Sequence, residues 1–295
     1  MKSASVPVQP NRMEGVRPAG QRLGPRGGRG NLGSQASRTR RDAVMRKIVI
    51  LAGLAIFWES AVRIFGIDHL LLPPFTGVVR ALWIGAQSMP LWESTWTTVE
   101  LVLQSFVLSI VVAVLITGLA VTNSWGKEAL NTITGIFQPL PAIALLPMAI
   151  LWFGLTKESL IFVVIMSMVW PLAASLTTGF ATAPTTLLRL GENYELGRIA
   201  LFWKILLPLS LPSMLSGLRI AWAYGWRTVV AAELVFGTTG TSSGLGFYID
   251  SHRQYLHTAD ALAGILVVII VGLLAEALFR QVQRRTTIRW GMERA

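Results

Sequence analysis

The chain has 295 residues, of which 53% are hydrophobic and only 14% are charged. An ordinary soluble domain carries about 25% charged residues, so this composition excludes a soluble globular protein and an intrinsically disordered one. The net charge of +11 comes from the two ends of the chain, because residues 48–279 hold ten basic and twelve acidic side chains. Basic residues that flank apolar segments meet anionic lipid headgroups, and this placement argues against nucleic-acid binding.

The first 43 residues are predicted to form a disordered, basic cytoplasmic tail. They are rich in Gly, Pro, Ser, Arg and Gln and contain almost no large apolar side chain. Such a segment cannot bury enough surface to offset the entropy lost on ordering.

Six apolar segments follow, each about as long as a helix that crosses the ~30 Å hydrocarbon core of a bilayer. They cover residues 44–65, 101–126, 129–156, 159–188, 211–235 and 259–279. Uninterrupted runs of this length exclude the alternating pattern of a membrane barrel, so the sequence predicts an all-α membrane protein. The six-helix domain is predicted over residues 44–284, and a cytoplasmic C-terminal tail over residues 285–295.

The distribution of Lys and Arg predicts the orientation in the membrane. With six spans, both termini and the 2–3 and 4–5 loops lie on one side, which receives 20 basic residues, against 3 on the other side. The side richer in Lys and Arg is normally cytoplasmic, so both termini are predicted to be cytoplasmic.

Several charged side chains fall inside the predicted spans. Glu59 and Arg63 are four residues apart and can pair on one helix face. Arg219 lies near the predicted cytoplasmic end of the fifth span, so we expect it to extend toward the headgroups. Arg227 and Glu233 lie deeper. Their separation of six residues puts them on different faces, and each therefore needs another polar partner or a cavity.

The third span contains Pro139, Pro141 and Pro147, each of which removes a backbone donor. Breaks of this kind are tolerated in a membrane where neighbouring helices or a cavity satisfy the freed carbonyls. The prolines are therefore consistent with two interpretations: they kink the helix to improve packing, or they line a pathway. Together with Arg227 and Glu233, these prolines are the candidate residues of a translocation pathway.

The connection between the fourth and fifth spans, residues 182–208, is longer than a simple link requires. Its apolar side chains alternate with charges of both signs, which is typical of short amphipathic helices. We predict one helix over residues 192–202 that binds a cytoplasmic partner, with Tyr194 and Leu201 as apolar anchors. A helix that only covers the lipid surface is the alternative.

No catalytic, metal or cofactor site is predicted. The three histidines, His69, His252 and His257, fall in predicted loops without a metal-binding spacing and are expected to be surface residues. The glycine-rich segment 237–247 lacks the Lys-Ser/Thr pair of a phosphate-binding loop. The chain is therefore not expected to be an enzyme, and no cofactor is predicted.

These features together resemble the membrane permease subunit of ABC importers of the nitrate/sulfonate/taurine group. Ile205-Leu206-Leu207-Pro208 is similar to the I-x-L-P ending of that superfamily's EAA loop. The proline-rich QPLPAIALLPMAILWFG resembles the third span of the group, and AAEL, GLGFYI and RTTIRWGM resemble its later segments. Glu195 stands at the loop's usual glycine position, and Gly197 follows two residues later.

The resemblance implies the ABC type-1 permease fold, with six transmembrane helices and a cytoplasmic coupling helix. It implies cytoplasmic P-loop ATPase subunits, an extracytoplasmic substrate-binding protein and a second permease copy, forming a homodimer, in a bacterial inner membrane. The coupling residues would be Glu192, Tyr194, Glu195, Gly197, Arg198, Leu201, Phe202 and Pro208.

The expected function is ATP-driven import, with this chain forming the pathway for a small anion or zwitterion such as a sulfonate, nitrate or taurine. The alternative is a secondary transporter or channel that needs no ATPase. Such a protein would carry ion-coupling carboxylates at mid-membrane and often an inverted repeat. A membrane enzyme is disfavoured because no nucleophile, metal or acid–base groups converge.

Overall fold

The computed structural model describes residues 31–121, 123–182, 184–236 and 243–288. Every regular element in these ranges is helical. The helices are α1 (Asn31–Ile64), α2 (Phe75–Gln87), α3 (Met89–Ala120), α4 (Ser124–Phe137), α5 (Leu146–Phe153), α6 (Lys157–Ala181), α7 (Thr185–Asn193), α8 (Arg198–Leu201), α9 (Leu207–Leu209), α10 (Leu211–Phe236), α11 (Leu245–Gln254) and α12 (Thr258–Gln283). A single 3₁₀ turn precedes α5, and π-helical turns join α8 to α9 and follow α12.

The chain divides into two units, residues 1–56 and 57–295. In the first unit, α1 begins at Asn31, inside the tail predicted to be disordered. Residues 31–43 of that tail continue the helix toward the N-terminus, and the boundary of the tail at residue 43 stays a prediction. Residues 1–30 of the predicted tail lie outside the described residues.

The all-α membrane architecture is confirmed. Three helices are long and apolar enough to cross a bilayer by themselves: α3, α6 and the segment Thr258–Thr286. Two bent pairs, α4 with α5 and Ile199–Leu209 with α10, raise the number to five if each pair counts as one span. The first predicted span, residues 44–65, is helical to Ile64, but Lys47, Glu59 and Arg63 lie within the last 18 residues of that helix, and its crossing of the membrane stays a prediction.

Several predicted spans have different bounds in the structure; the fourth, for example, ends at Ala181 and not at residue 188. The second begins at Met89 and not at residue 101, because the helix includes polar residues that line its buried face. The third is not one helix, since α4 and the helical segment Ala142–Phe153 meet at an angle of 91°. Pro139 and Pro141 lie in this break and cannot donate to the helical hydrogen-bond ladder.

Close contact between α6 and α10 forms the centre of the second unit. A Cβ atom at Gly217 would lie 2.5 Å from Ser175 Cβ, and one at Gly225 would overlap Met168. Small residues at such crossings let the backbones approach and gain van der Waals contact, the main source of helix association in lipid.

Small polar residues on α3 face this centre. Thr98, Ser105, Ser109 and Thr117 are fully buried there. Ser105 Oγ donates to Leu101 O at 2.9 Å, and Ser109 Oγ donates to Ser105 O at 2.7 Å. Because these two serine hydroxyls are satisfied inside the helix, they keep the interface narrow without leaving their donors unpaired.

Candidate translocation and coupling sites

A cavity of about 370 Å³ lies at the break between α4 and α5. Gln138, Pro139 and Pro141 form one side of it, and residues of α6 and α10 form the other. Phe137 and Trp170, which stack with ring centroids 5.0 Å apart, stand at one wall. The structure thus brings two of the three predicted pathway prolines to one cavity.

Arg227 of α10 lines the same cavity, beside Tyr224 and Thr228. Its side chain is exposed, and among the described residues it has no salt bridge. It also borders an adjoining cavity of about 600 Å³ that contains Glu276. A guanidinium without a salt-bridge partner at the edge of a cavity can bind an anionic group through charge-assisted hydrogen bonds.

The other prolines have different environments. Pro147 stands at the start of α5, where the missing donor is tolerated, and it does not line this cavity. Pro171, which was not predicted as a pathway residue, is buried inside α6 and lines this cavity. The signal was present, since a proline within a long apolar run must lie where its freed carbonyl finds a partner or a cavity.

Glu233 does not line this cavity and is 3% exposed. Thr98 Oγ1 of α3 donates to its carboxylate, with 2.9 Å to both oxygens, and Gly246 N of α11 donates to Oε2 at 2.9 Å. Leu245 N in turn donates to Thr98 Oγ1 at 2.8 Å. The carboxylate therefore joins α3, α10 and the N-terminus of α11, an arrangement that we call the Glu233 latch.

The latch requires glycine at two positions of α11's N-terminal turn. A Cβ atom at Gly244 would overlap the Glu233 carboxylate, and one at Gly246 would lie 2.5 Å from both Glu233 Cβ and Val230 O. The Gly246 amide can reach the carboxylate only because these side chains are absent. The N-terminal end of a helix also favours a negative charge.

The two intramembrane charges of α10 are not each other's partner, as their spacing predicted. Arg227 opens to the cavity, and Glu233 binds donors of α3 and α11. Glu59 and Arg63 do pair, with Arg63 Nε 2.7 Å from Glu59 Oε1. Arg219, which was expected to extend toward the headgroups, donates from Nε to Glu276 Oε2 of α12 at 2.9 Å. Its depth in the membrane stays a prediction.

Beyond the latch, α11 carries two perturbed groups outside the spans. Hydrogen bonds from Arg253 and Gln254 lower the pKa of the Asp250 carboxyl. Burial, followed by the charge of Asp260, raises the pKa of the Tyr248 hydroxyl. Asp250 therefore stays ionised and Tyr248 stays neutral near pH 7.

The predicted coupling segment is two helices and not one. Glu192 is the penultimate residue of α7, Tyr194 to Gly197 form a turn, and Arg198 begins α8. Pro208 is the middle residue of α9. The prediction of a continuous helix over 192–202 is therefore wrong, because α7 ends in a capping motif.

The capping motif places Glu195 in the left-handed region, with a φ of 52°. Leu196 N donates to Gly191 O at 3.0 Å, which is the six-to-one hydrogen bond of a Schellman motif with Glu195 at the C′ position. Glycine is preferred there because it has no Cβ atom. The left-handed φ thus gives a physical reason for the glycine that the EAA loop usually has at this position.

Replacing Glu195 by glycine should therefore preserve or raise stability. A non-glycine residue in this region is strained by about 1–2 kcal/mol, offset by roughly 0.5–1 kcal/mol of added chain entropy for glycine. Glu195→Val should lower the melting temperature, because a β-branched residue tolerates positive φ least. Gly197→Ala is the matched control, since a Cβ atom there meets nothing within 4 Å. A higher melting temperature for Glu195→Val than for Glu195→Gly would contradict this assignment.

Of the two predicted anchors, Tyr194 is among the exposed apolar side chains of this segment and Leu201 is not. Tyr194 and Ile199 are each 73% exposed, and Trp203, one turn after Ile199, is 54% exposed. Leu201 packs against Gly191, and Phe202 is buried against Phe180 and Gly118. Leu201 therefore packs α8 on α7 within the loop, and Phe202 holds the segment to α3 and α6. Tyr194, Ile199 and Trp203 form an outward surface that we call the loop surface.

The helical spans, the cavity that Arg227 lines and the structured loop are the features expected of a membrane permease. A sequence profile described as a binding-protein-dependent transport system inner membrane component matches residues 105–288. This match covers more than half of the chain, and the chain belongs to that family. It is an ABC permease of the nitrate/sulfonate/taurine group, a multi-pass membrane protein and not an enzyme.

Curated relatives align with this chain over half of its length or more. The chain is 32% identical to the taurine transport system permease protein TauC of Escherichia coli over 83% of its own length and 89% of that protein's. It is 24% identical to the bicarbonate transport system permease protein CmpB of Synechococcus elongatus, over 84% of its own length and 91% of that protein's. It is 30% identical to the nitrate import permease protein NrtB of Leptolyngbya laminosa, over 51% of its own length and 53% of that protein's.

Proposed function

We propose that this permease forms the translocation pathway of an ATP-driven importer for a small anion or zwitterion, such as taurine, another sulfonate or nitrate. The observation that carries the proposal is the guanidinium of Arg227 at the cavity beside the α4–α5 break. A sulfonate or nitrate group offers several oxygens to a planar guanidinium, which binds such groups with paired hydrogen bonds. The solutes in the names of the relatives, taurine, nitrate and bicarbonate, share this anionic character.

The proposed assembly contains two copies of this chain, two cytoplasmic P-loop ATPases and an extracytoplasmic substrate-binding protein. ATP-dependent closure of the ATPases would move the loop surface and change the contacts between α6 and α10. The permease would then alternate between inward-open and outward-open arrangements, because each ligand favours the state that it contacts better. The Glu233 latch would hold α11 in one of them.

The proposed orientation places both termini and the α6–α10 connection in the cytoplasm, and α11 outside. Its support is the asymmetry of Lys and Arg. Tyr255, 77% exposed after α11, is a suitable position for a single cysteine in this cysteine-free chain. We expect an impermeant maleimide to label Tyr255→Cys in intact cells. Labelling only after permeabilisation would reverse the orientation.

Charged substitutions on the loop surface should uncouple the ATPase from uptake. Tyr194→Asp with Ile199→Asp introduces charge at an apolar contact, so the variant should lose its ATPase on purification or hydrolyse ATP without uptake. Permease levels should not change, because both side chains point outward. Interfaces concentrate their binding energy in such apolar anchors. The measurement is ATPase retention and uptake in the same preparation.

Tyr255→Asp is the control, since it changes an equally exposed tyrosine outside this loop. Normal ATPase retention and normal uptake by the loop-surface double variant would place the docking site elsewhere. Leu201→Asp is unsuitable, because Leu201 packs inside the loop.

A further inference from the structure

Three metal-binding side chains meet at the junction of α11 and α12. His252 stands on the last turn of α11, His257 immediately precedes α12, and Asp260 lies in the first turn of α12. One ligand atom from each lies within 4.8 Å of the others. None of the three belongs to the cavity that contains Arg227.

The orientation of His252 suits a metal ligand. Its Nδ1 lies 2.8 Å from Tyr248 O, so the Nδ1 proton is donated to that carbonyl and the lone pair of Nε2 is left for another partner. Metal-binding histidines commonly hold their second nitrogen in this way, because the hydrogen bond fixes the tautomer and the ring plane. The imidazole also lies against the Tyr248 ring, with centroids 4.1 Å apart.

The backbone holds the other two residues close to His252. His257 N donates to His252 O at 2.8 Å, and Asp260 N donates to His257 O at 3.1 Å. Asp260 has no salt bridge among the described residues, so its carboxylate is not committed to a cationic side chain there.

We propose that His252, His257 and Asp260 bind a divalent transition-metal cation, with Zn²⁺ as the best-matched ion. Two imidazole nitrogens and one carboxylate form a three-ligand set that zinc adopts when a fourth position is left for water. Imidazole selects zinc, copper and nickel over magnesium and calcium, which require oxygen ligands. Zinc–ligand bonds of about 2.0–2.2 Å place tetrahedral ligand atoms roughly 3.4 Å apart, so rotation of the exposed His257 closes the remaining gap.

A bound ion would cross-link the end of α11 to the start of α12. These helices already pack tightly, since a Cβ atom at Gly264 would lie 2.8 Å from Ile249 Cγ1 and 3.1 Å from Tyr248 Cδ1. The other end of α11 is held by the Glu233 latch. With the ion bound at its C-terminal end and the latch at its N-terminal end, α11 would be held at both ends. The inference does not depend on the transported solute, because it concerns only these three side chains.

The test is Zn²⁺ binding to the full-length chain in nanodiscs, purified without a histidine tag and measured by competition with a chromophoric chelator. We expect one Zn²⁺ per chain in the wild type. His252→Ala, His257→Ala and Asp260→Asn should each weaken binding by at least ~10–100-fold, since loss of even an outer-shell partner has that effect.

His69→Ala is the matched control, because His69 is the one other histidine in a chain without cysteine. It should bind Zn²⁺ like the wild type. His257→Ala keeps the test decisive, since the exposed His257 side chain contributes little to packing. The proposal is overturned if the wild type binds no more Zn²⁺ than a variant that combines His252→Ala, His257→Ala and Asp260→Asn, or if His69→Ala weakens binding as much as His257→Ala.

Discussion

Replacing Glu233 by alanine is expected to lower solute uptake at least about tenfold while the permease still inserts at its normal level. The substitution leaves the buried Thr98 hydroxyl and Gly246 amide without their acceptor. An unsatisfied buried group costs about 1–3 kcal/mol, and each 1.4 kcal/mol changes an equilibrium tenfold. The N-terminus of α11 would then leave its place on α3 and α10. The measurement is uptake normalised to permease in the membrane.

Two threonines on α3 provide a matched pair of controls. Thr98→Ala removes the hydroxyl that bridges Glu233 and Leu245 N, so it should lower uptake in the same direction. Thr97→Ala should have no effect, because Thr97 Oγ1 donates only to Glu93 O within its own helix. Glu233→Gln keeps one acceptor and should lie between alanine and the wild type. Wild-type uptake by both Glu233→Ala and Thr98→Ala would remove the latch from the mechanism.

Arg227→Met is expected to lower uptake about 10–100-fold, mainly through a weaker apparent affinity for the solute. Methionine keeps much of the side-chain length and removes the charge. A hydrogen bond to a charged group contributes about 1.5–3 kcal/mol. Arg227→Lys should retain part of the activity, since it keeps the charge but not the paired donors. The measurement is KM and the maximal rate of uptake.

Arg253→Met is the control for this experiment. Arg253 is 71% exposed and pairs with Asp250 on the surface of α11, where an ion pair contributes about 0–1 kcal/mol. Its loss should leave uptake unchanged. Equal KM values for the Arg227→Met variant and the wild type would show that the guanidinium does not contact the solute.

Hydrophobic runs were sufficient to predict the helical membrane fold, because a bilayer fixes both the length and the hydrogen bonding of its spans. They could not predict the 91° bend at Pro139 and Pro141. A proline removes a donor whether a helix kinks or breaks, and the packing of α6 and α10 decides between the two. The cavity that Arg227 lines lies at this bend, so it could not be predicted either.

The environment of Glu233 was beyond sequence reasoning for a different reason. Thr98 lies 135 residues away along the chain, and no local pattern identifies it as the donor. The glycines at 244 and 246 carried a usable signal, since close approach of a backbone to a side chain requires glycine. The spacing did show correctly that Arg227 and Glu233 face different directions.

In the coupling segment, amphipathic spacing correctly marked a structured loop but gave the wrong helix. A glutamate does not by itself indicate a left-handed position, since the capping motif that ends α7 usually has glycine there. Leu201 and Ile199 are both apolar, so periodicity alone could not show which one packs on Gly191 and which one is exposed.

The most direct test of the proposed function is uptake of radiolabelled taurine into proteoliposomes that contain this permease, its ATPase and its binding protein. The result expected is accumulation that requires enclosed ATP and the binding protein, that is lost in the loop-surface double variant, and that continues when ion gradients are collapsed. Transport of the solute by the permease alone, driven by an ion gradient and indifferent to ATP, would contradict it.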